Sequence, residues 1–295
     1  MRACELIFGE KDASRTDWCE FWTVEKYLKD QIPFENALSI CCGFGEVDRS
    51  LARLGVAGKF TGTDIAAGAI EKAREKARRE NLDIEYFVAD LNNERFEANQ
   101  YDLIFANGAL HHIEALDTLV PRLFEALKPG GYLISNEYVG PKYQKIGPRQ
   151  QEIVNAARHL LPHDLRSDSL NYYPMPFWRK VKNAVTDFFF AESRRTFGRL
   201  YQYNAQYFEK LDPSESVSSD RVIPALRRQF KNVTVKPFGG SVLFYALDST
   251  FYQNFDPANK VHSEALDLLF KLEDAYLDSG ELQSDHAHII CQREY

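Results

Sequence analysis

Ala37-Leu-Ser-Ile-Cys-Cys-Gly-Phe-Gly-Glu46 is an apolar run that stops at a turn carrying glycines at 43 and 45, directly before a segment with helical spacing. Read alone, it is a strand, a loop and a helix start. Glycine tolerates positive φ and lets a ligand approach the backbone closely, while the free amides at a helix start attract an anionic group. The stretch therefore has the outline of a nucleotide-cofactor loop, although such turns also occur after strands that bind nothing.

The residues that follow repeat the strand–helix alternation. Val47, Leu51 and Leu54 fall on one helical face, and Gly55 supplies a stop. Phe60-Thr-Gly-Thr-Asp64 then reads as a short strand ending on an acid, ahead of Ile65 and a charged helix running to Glu80. An acid at the tip of the second strand of such a unit can accept both hydroxyls of a ribose; Asp64 could instead cap the next helix. Ile84, Tyr86 and Val88 alternate in a third strand that ends on Ala89-Asp90-Leu91-Asn92. Asp90 thus stands at a strand's carboxyl end, as an acceptor for an exocyclic amine such as that of adenine or as a simple turn acid. Tyr101-Asp-Leu-Ile-Phe-Ala-Asn107 is a buried strand opening into a loop with His111 and His112, and a helix with Leu116, Leu119, Val120, Leu123 and Leu127 leads to Lys128-Pro-Gly-Gly131 and the strand Tyr132–Asn136.

Taken in this order, the glycine loop, the acids at 64 and 90, the Tyr-Asp-Leu-Ile-Phe strand with Ala-Leu-His-His-Ile, and Leu-Lys-Pro-Gly-Gly-Tyr-Leu resemble the class I S-adenosylmethionine-dependent methyltransferases over about residues 35–140. A dinucleotide fingerprint fits less well, because it wants a third glycine where this chain has Asp48. The resemblance implies an α/β fold: a three-layer Rossmann-like arrangement on a seven-stranded sheet, the last strand antiparallel, with a mostly helical insertion. It also implies S-adenosylmethionine as cofactor. Cys42, Gly43 and Gly45 would line its methionine portion, Asp64 with Ile65 would hold the ribose side, Asp90 and Leu91 would frame the adenine, and Asn107 would lie beneath the sulfonium. Two positions depart from the family pattern: Ser39 stands where an acid is usual, and Cys41 where a glycine is usual.

Methyl transfer from a sulfonium is an in-line displacement, so alignment of the acceptor supplies much of the acceleration. A base is needed only when the acceptor is a hydroxyl whose proton must leave. His111, His112 and Glu137 are the candidate catalytic groups, with Tyr138 as an orienting neighbour; a histidine in this loop can equally be a packed side chain. No metal is assigned, because adjacent histidines on one loop seldom supply two ligands without a supporting carboxylate set.

Composition bounds the rest. The 295 residues carry a net charge of −7, which disfavours a dedicated nucleic-acid partner. Charges interrupt every short apolar run at the amino end and no long uncharged apolar run follows, so a cytoplasmic protein without a membrane partner is expected. Five cysteines at 4, 19, 41, 42 and 291 show no metal-ligand spacing and are expected as reduced thiols. The expected organisation is N-terminal helices over 1–34, a cofactor-binding core over 35–140, a helical substrate cap over 141–218 and a C-terminal part over 219–295 that completes the sheet. The cap region is rich in tyrosine and arginine, suited to sugar rings and phosphate; a dimerisation module, giving a homodimer, is its other reading. The Asn-Glu-Tyr-Val-Gly-Pro segment at 136–141 and Asp-Pro-Ser-Glu at 212–215 resemble glycan-pathway methyltransferases. That resemblance implies methylation of a small-molecule or glycan-linked acceptor, such as a nucleotide sugar, at oxygen before nitrogen. The competing expectation is a cofactor-binding but inactive partner subunit that acts through its cap surface.

Overall fold

The structure, a computed structural model, describes residues 1–166, 212–247 and 249–295. The aromatic and arginine-rich stretch from Asn171 to Phe208, on which the substrate preference of the cap was read, lies outside the described residues.

Among the described residues, seven strands form one sheet in the order β3-β2-β1-β4-β5-β7-β6. They are β1 (Phe34–Ile40), β2 (Ala57–Asp64), β3 (Ile84–Val88), β4 (Tyr101–Asn107), β5 (Leu127–Tyr138), β6 (Asn232–Gly239) and β7 (His286–Gln292). β1 runs parallel to β2 and β4, β2 to β3, and β4 to β5, whereas β7 is antiparallel to β5. The chain steps outward from β1 in one direction through β2 and β3, then returns to the other side of β1 with β4. That reversal opens a crevice at the carboxyl ends of β1 and β4, where ligands of open α/β sheets bind.

The period-2 alternation of the central strands sorts their side chains to two faces. Leu38, Ile40, Ile104, Ala106 and Leu133 face one core with the helix α5 (Leu116–Ala126) and the helical residues Val222, Ala225 and Leu226. Ala37, Leu103, Phe105 and Ile134 face the other, with Val24 and Leu28 from the amino end and Leu51 of α3 (Glu46–Arg53). The helix α4 (Ala67–Arg79) lays Ile70, Ala73 and Ala77 against Tyr86 of β3. Helices on both faces of a mostly parallel sheet make the three-layer Rossmann-like arrangement.

A helix at Arg2–Phe8, within the stretch 1–34 expected to be helical, buries Cys4, Ile7 and Phe8 against Trp18 and Trp22. One local outcome differs from the sequence reading. Pro129-Gly-Gly131 does not end a helix and begin a strand; α5 stops at Ala126 and β5 is continuous from Leu127, with an irregular register between Tyr101 and Leu103.

The chain divides into two compact units. Of the described residues, the sheet unit holds 1–143, 212–238 and 285–295, and the second holds 144–166 and most of 239–284. Asn232–Gly239 and His286–Gln292 lie in the sheet, while nearly all the chain between them falls in the second unit. That unit has its own core: Ile153, Val154 and Ala157 of the helix Pro148–Leu160 gather with Tyr245, Phe251 and Leu269. Glu273, fully buried on the helix Lys260–Asp278, accepts from the amides of Val242 and Leu243 at 2.8 and 3.0 Å and so caps the short helix Leu243–Ala246. No described helix is long and apolar enough to cross a membrane.

Candidate active site

The glycine loop leaves β1 at the crevice, and its backbone is held in the left-handed region at Cys41 (φ 48°), Gly43 (φ 55°) and Gly45 (φ 69°). Cys41 thus occupies a conformation that glycine adopts without a penalty. The loop is tied across to β2: the Cys42 amide donates to Thr63 O at 2.9 Å, and the Gly43 amide donates to Asp64 Oδ2 at 2.9 Å. The other carboxylate oxygen of Asp64 accepts from the Ala66 amide at 2.8 Å. Asp64 does not cap α4, whose first turn has no side-chain cap. It organises the loop from below and keeps unused lone pairs on both oxygens. Arg49, buried on α3, donates to Phe44 O at 2.7 Å and braces the loop from the other end.

Beneath the loop lies a buried polar cluster. Ser39 on β1 is in register with Gly62 on β2, which is in register with Tyr86 on β3. Asp48, in the first turn of α3, enters this layer and is only 1% exposed. The hydroxyls of Ser39 and Tyr86 are its polar neighbours, yet neither carboxylate oxygen reaches a hydrogen bond of good geometry. Burial pushes its carboxyl up to about 6. Gly45 and Gly62 are required here: a Cβ on Gly45 would stand 2.3 Å from the Tyr86 hydroxyl, and one on Gly62 would stand 2.5 Å from the Tyr86 ring. Cys42 packs its side chain against Ile70, Ala73, Ala77 and Tyr86, so it lines the helix side of the loop, and burial raises its thiol. Cys41 packs toward the opposite core and its thiol is pushed up to about 12 by burial and by the charges of Asp64 and Glu137.

On the ligand side the residues fit an adenosyl group in part. Space above Gly43 is open, with nothing within 4 Å of where a Cβ would stand. Ile65, beside Asp64, is 68% exposed, an apolar surface suited to cover by a base or sugar ring. Asp90 is more committed: Oδ1 accepts from the Asn92 amide and side chain at 3.0 Å, and Oδ2 from Asn93 Nδ2 at 2.8 Å. Those bonds hold its carboxyl below the usual carboxylate range. Leu91 is buried in the core, so only its backbone can border a ligand. Asn107 ends β4 exposed, its Oδ1 accepting from Asn136 Nδ2 at 3.1 Å.

Across the crevice, the turn after β4 is built on Glu137. Its Oε1 accepts from the amides of Ala109 and Leu110 at 3.0 and 2.9 Å, and its Oε2 lies 2.7 Å from His111 Nδ1. The Ser135 hydroxyl shares its one proton between Ala106 O at 2.6 Å and Glu137 Oε1 at 2.8 Å. At 1% exposure, Glu137 orients His111 and holds the turn. Because a carboxylate only accepts, His111 carries its proton on Nδ1, a tautomer assigned from this bond. Burial lowers the imidazole's basicity, but the hydrogen bond and charge of Glu137 more than offset it and raise the ring's pKa. His112 lies with its ring centroid 4.2 Å from that of His111, and burial together with the His111 charge lowers its pKa.

The groups that sequence reading left without a role are Asp212, Ser214 and Glu215. Ser218 donates its amide to His111 O at 3.0 Å and its hydroxyl to Ile113 O at 2.7 Å, which clamps this segment onto the histidine turn. Ser214 Oγ donates to Asp212 Oδ1 at 2.6 Å and lies 3.3 Å from His112 Nδ1, so it accepts from that ring. His112 Nε2 then faces Glu215 Oε2 at 3.7 Å. The Asp-Pro-Ser-Glu motif was the available signal, and the missing carboxylate for the histidine pair was its counterpart.

Comparison with known proteins agrees with this layout. Residues 37–131 match the family described as a methyltransferase domain. Over 138 residues the chain is 29% identical to phosphoethanolamine N-methyltransferase 2 of Caenorhabditis elegans, covering 46% of this chain and 31% of that protein. It is 28% identical over 123 residues to a 2-phytyl-1,4-naphtoquinone methyltransferase of Nostoc punctiforme, covering 41% and 54%. It is 36% identical over 115 residues to a hybrid PKS-NRPS synthetase of Emericella nidulans, covering 37% of this chain and 3% of the synthetase. The chain therefore spans about half or less of each of these relatives. The strand order, the glycine loop and the family match agree: residues 37–131 are similar to a class I S-adenosylmethionine-dependent methyltransferase domain.

Proposed function

We propose that the chain transfers a methyl group from S-adenosylmethionine to an oxygen of a small-molecule or glycan-linked acceptor, a nucleotide sugar among them. The observation that carries the choice of oxygen is the array of His111, His112 and Glu215 on the acceptor side of the crevice, each set by hydrogen bonds of its own. A neutral amine needs no base to become a nucleophile, whereas a hydroxyl must lose a proton. Two imidazoles and a carboxylate brought together from separate segments suit the hydroxyl. The nematode relative is named for a nitrogen acceptor, which makes nitrogen the competing choice.

When bound, S-adenosylmethionine supplies an electrophilic methyl group. The chain's part is to hold the adenosyl portion with Asp64 and Ile65, to leave room over Gly43 for the methionine portion, and to seat the acceptor oxygen beside the histidines. Glu137 fixes His111, and Ser214 with Asp212 fixes His112. The departures at Ser39 and Cys41 sustain the reading of an inactive partner subunit.

Incubating the full chain with methyl-labelled S-adenosylmethionine and a panel of sugar nucleotides, glycans and phosphoethanolamine separates these readings. Label on a hydroxyl is the expected result. Label on phosphoethanolamine alone overturns the choice of oxygen, and cofactor binding without product across the panel favours the inactive subunit.

A further inference from the structure

His111, His112 and Glu215 each offer one ligand atom, and these atoms all lie within 4.8 Å of one another. The surrounding hydrogen bonds set their state. Nδ1 of His111 is engaged by Glu137 at 2.7 Å and Nδ1 of His112 by Ser214 at 3.3 Å, so each ring presents Nε2 as an electron pair. Glu215 Oε1 accepts from the Ser216 hydroxyl at 2.8 Å, while Oε2 stands 3.7 Å from His112 Nε2, beyond hydrogen-bond reach. Two imidazoles and a carboxylate from separate segments thus bring their ligand atoms into one small space, an arrangement that a cation would complete.

We propose that His111, His112 and Glu215 form a binding site for a divalent first-row transition-metal ion of the zinc type. Ligands about 2.0–2.1 Å from a tetrahedral zinc ion are roughly 3.4 Å apart, so the 3.7 Å between His112 and Glu215 closes with a shift of a few tenths of an ångström, and the widest separation in the set, within 4.8 Å, closes with a side-chain rotation. The mixed nitrogen and oxygen set suits such an ion better than calcium or magnesium, which take oxygen ligands. The layer behind the ligands is already built. A ligating histidine typically donates its other ring N–H to a carboxylate or comparable acceptor, and Glu137 does this for His111 while the Ser214–Asp212 pair does it for His112. Three protein ligands leave a fourth position for an oxygen. The use of that position by an acceptor hydroxyl rests on the oxygen-transfer reading above, since a coordinated hydroxyl loses its proton more readily; the binding of the ion rests on the side chains alone.

The test is titration of the chelator-treated full chain with Co²⁺, followed by visible absorption, and with Zn²⁺ in competition. One equivalent is expected to bind, with the intense absorption of a low-coordinate cobalt site. Glu215→Gln and His112→Gln, on separate segments and each only half-buried, are expected to weaken binding at least tenfold, while His163→Gln on the exposed surface leaves it unchanged. Circular dichroism checks that each variant folds, and the two variants guard against one failing to do so. Absence of stoichiometric binding, or binding equally tight in Glu215→Gln and His112→Gln, overturns the site. Calorimetry with S-adenosylhomocysteine on the same metal-free samples reports the cofactor reading separately: a chain that binds the nucleoside but no metal loses this inference alone.

Discussion

At Cys41 a side chain sits where the backbone calls for none. A residue with a Cβ in the left-handed region gives up about 1–2 kcal/mol that glycine does not. The thiol is also packed against the core, so a direct Cys41→Gly change mixes relief of strain with lost burial. Comparing Cys41→Gly with Cys41→Ala separates the two, because both lose the sulfur and only alanine keeps the Cβ. The glycine variant should be the more stable by about 1 kcal/mol in urea unfolding; equal stabilities would show that the loop relaxes around the side chain. Asp64 is the companion case on the ligand side. Its carboxylate already holds the Gly43 and Ala66 amides, and its remaining lone pairs are those assigned to the ribose. Asp64→Ala should weaken S-adenosylhomocysteine roughly 10- to 150-fold by calorimetry, the equivalent of about 1.5–3 kcal/mol for bonds to a charged acceptor. Wild-type affinity in a folded Asp64→Ala protein would remove Asp64 from the cofactor site.

The loop and the strand beneath it act as one element, because Tyr86 of β3 fills the space that Gly45 leaves. Gly45→Ala would press a Cβ to within 2.3 Å of the tyrosine hydroxyl and 2.9 Å of its Cζ, at a φ of 69°. Overpacking and backbone strain together should cost about 2–5 kcal/mol. In a Tyr86→Phe background the nearest atom is gone, and the same change should cost less by about 1 kcal/mol or more. A double-mutant cycle reading zero would mean that the hydroxyl does not set the height of the loop. The alternation at Ile84, Tyr86 and Val88 made this strand readable from the sequence, as the glycines did the loop, because both signals are local. Asp48 was not readable in the same way. An acid in the first turn of a helix is ordinarily explained by the helix dipole, and only the fold shows that it is buried against Ser39 and Tyr86. Glu215 lay further out of reach: about a hundred residues separate it from His112, and the bonds from Ser218 to the histidine turn that place it have no sequence signature.

Across the whole molecule, two buried groups on the same sheet unit pull the pH dependence of stability in opposite directions. Burial raises the Asp48 carboxyl from its ordinary 3.8 to about 6 in the folded chain, so between those pH values the folded state holds the extra proton and stability falls as pH rises. His288 packs against the rings of Phe8 and Tyr27 and donates from Nδ1 to Asn136 Oδ1. Burial lowers its pKa from 6.5 to about 4, so between those values the unfolded state holds the extra proton and stability rises with pH. Each shift is worth roughly 3 kcal/mol when fully developed. The two slopes nearly cancel between pH 4 and 6, and the wild-type curve conceals both. Single variants should expose them. Relative to wild type, Asp48→Asn should gain about 3 kcal/mol on going from pH 4 to pH 7, because the charge that wild type must bury at neutral pH is gone. His288→Gln should move the opposite way, gaining about as much on going from pH 7 to pH 4. Urea unfolding of the three proteins at pH 4, 5, 6 and 7 reads both differences directly, with the other ionisable groups common to all. Parallel curves for Asp48→Asn and wild type would mean that the Asp48 carboxyl ionises in the fold at its ordinary pH, through hydrogen bonds from Ser39 and Tyr86 that form in solution.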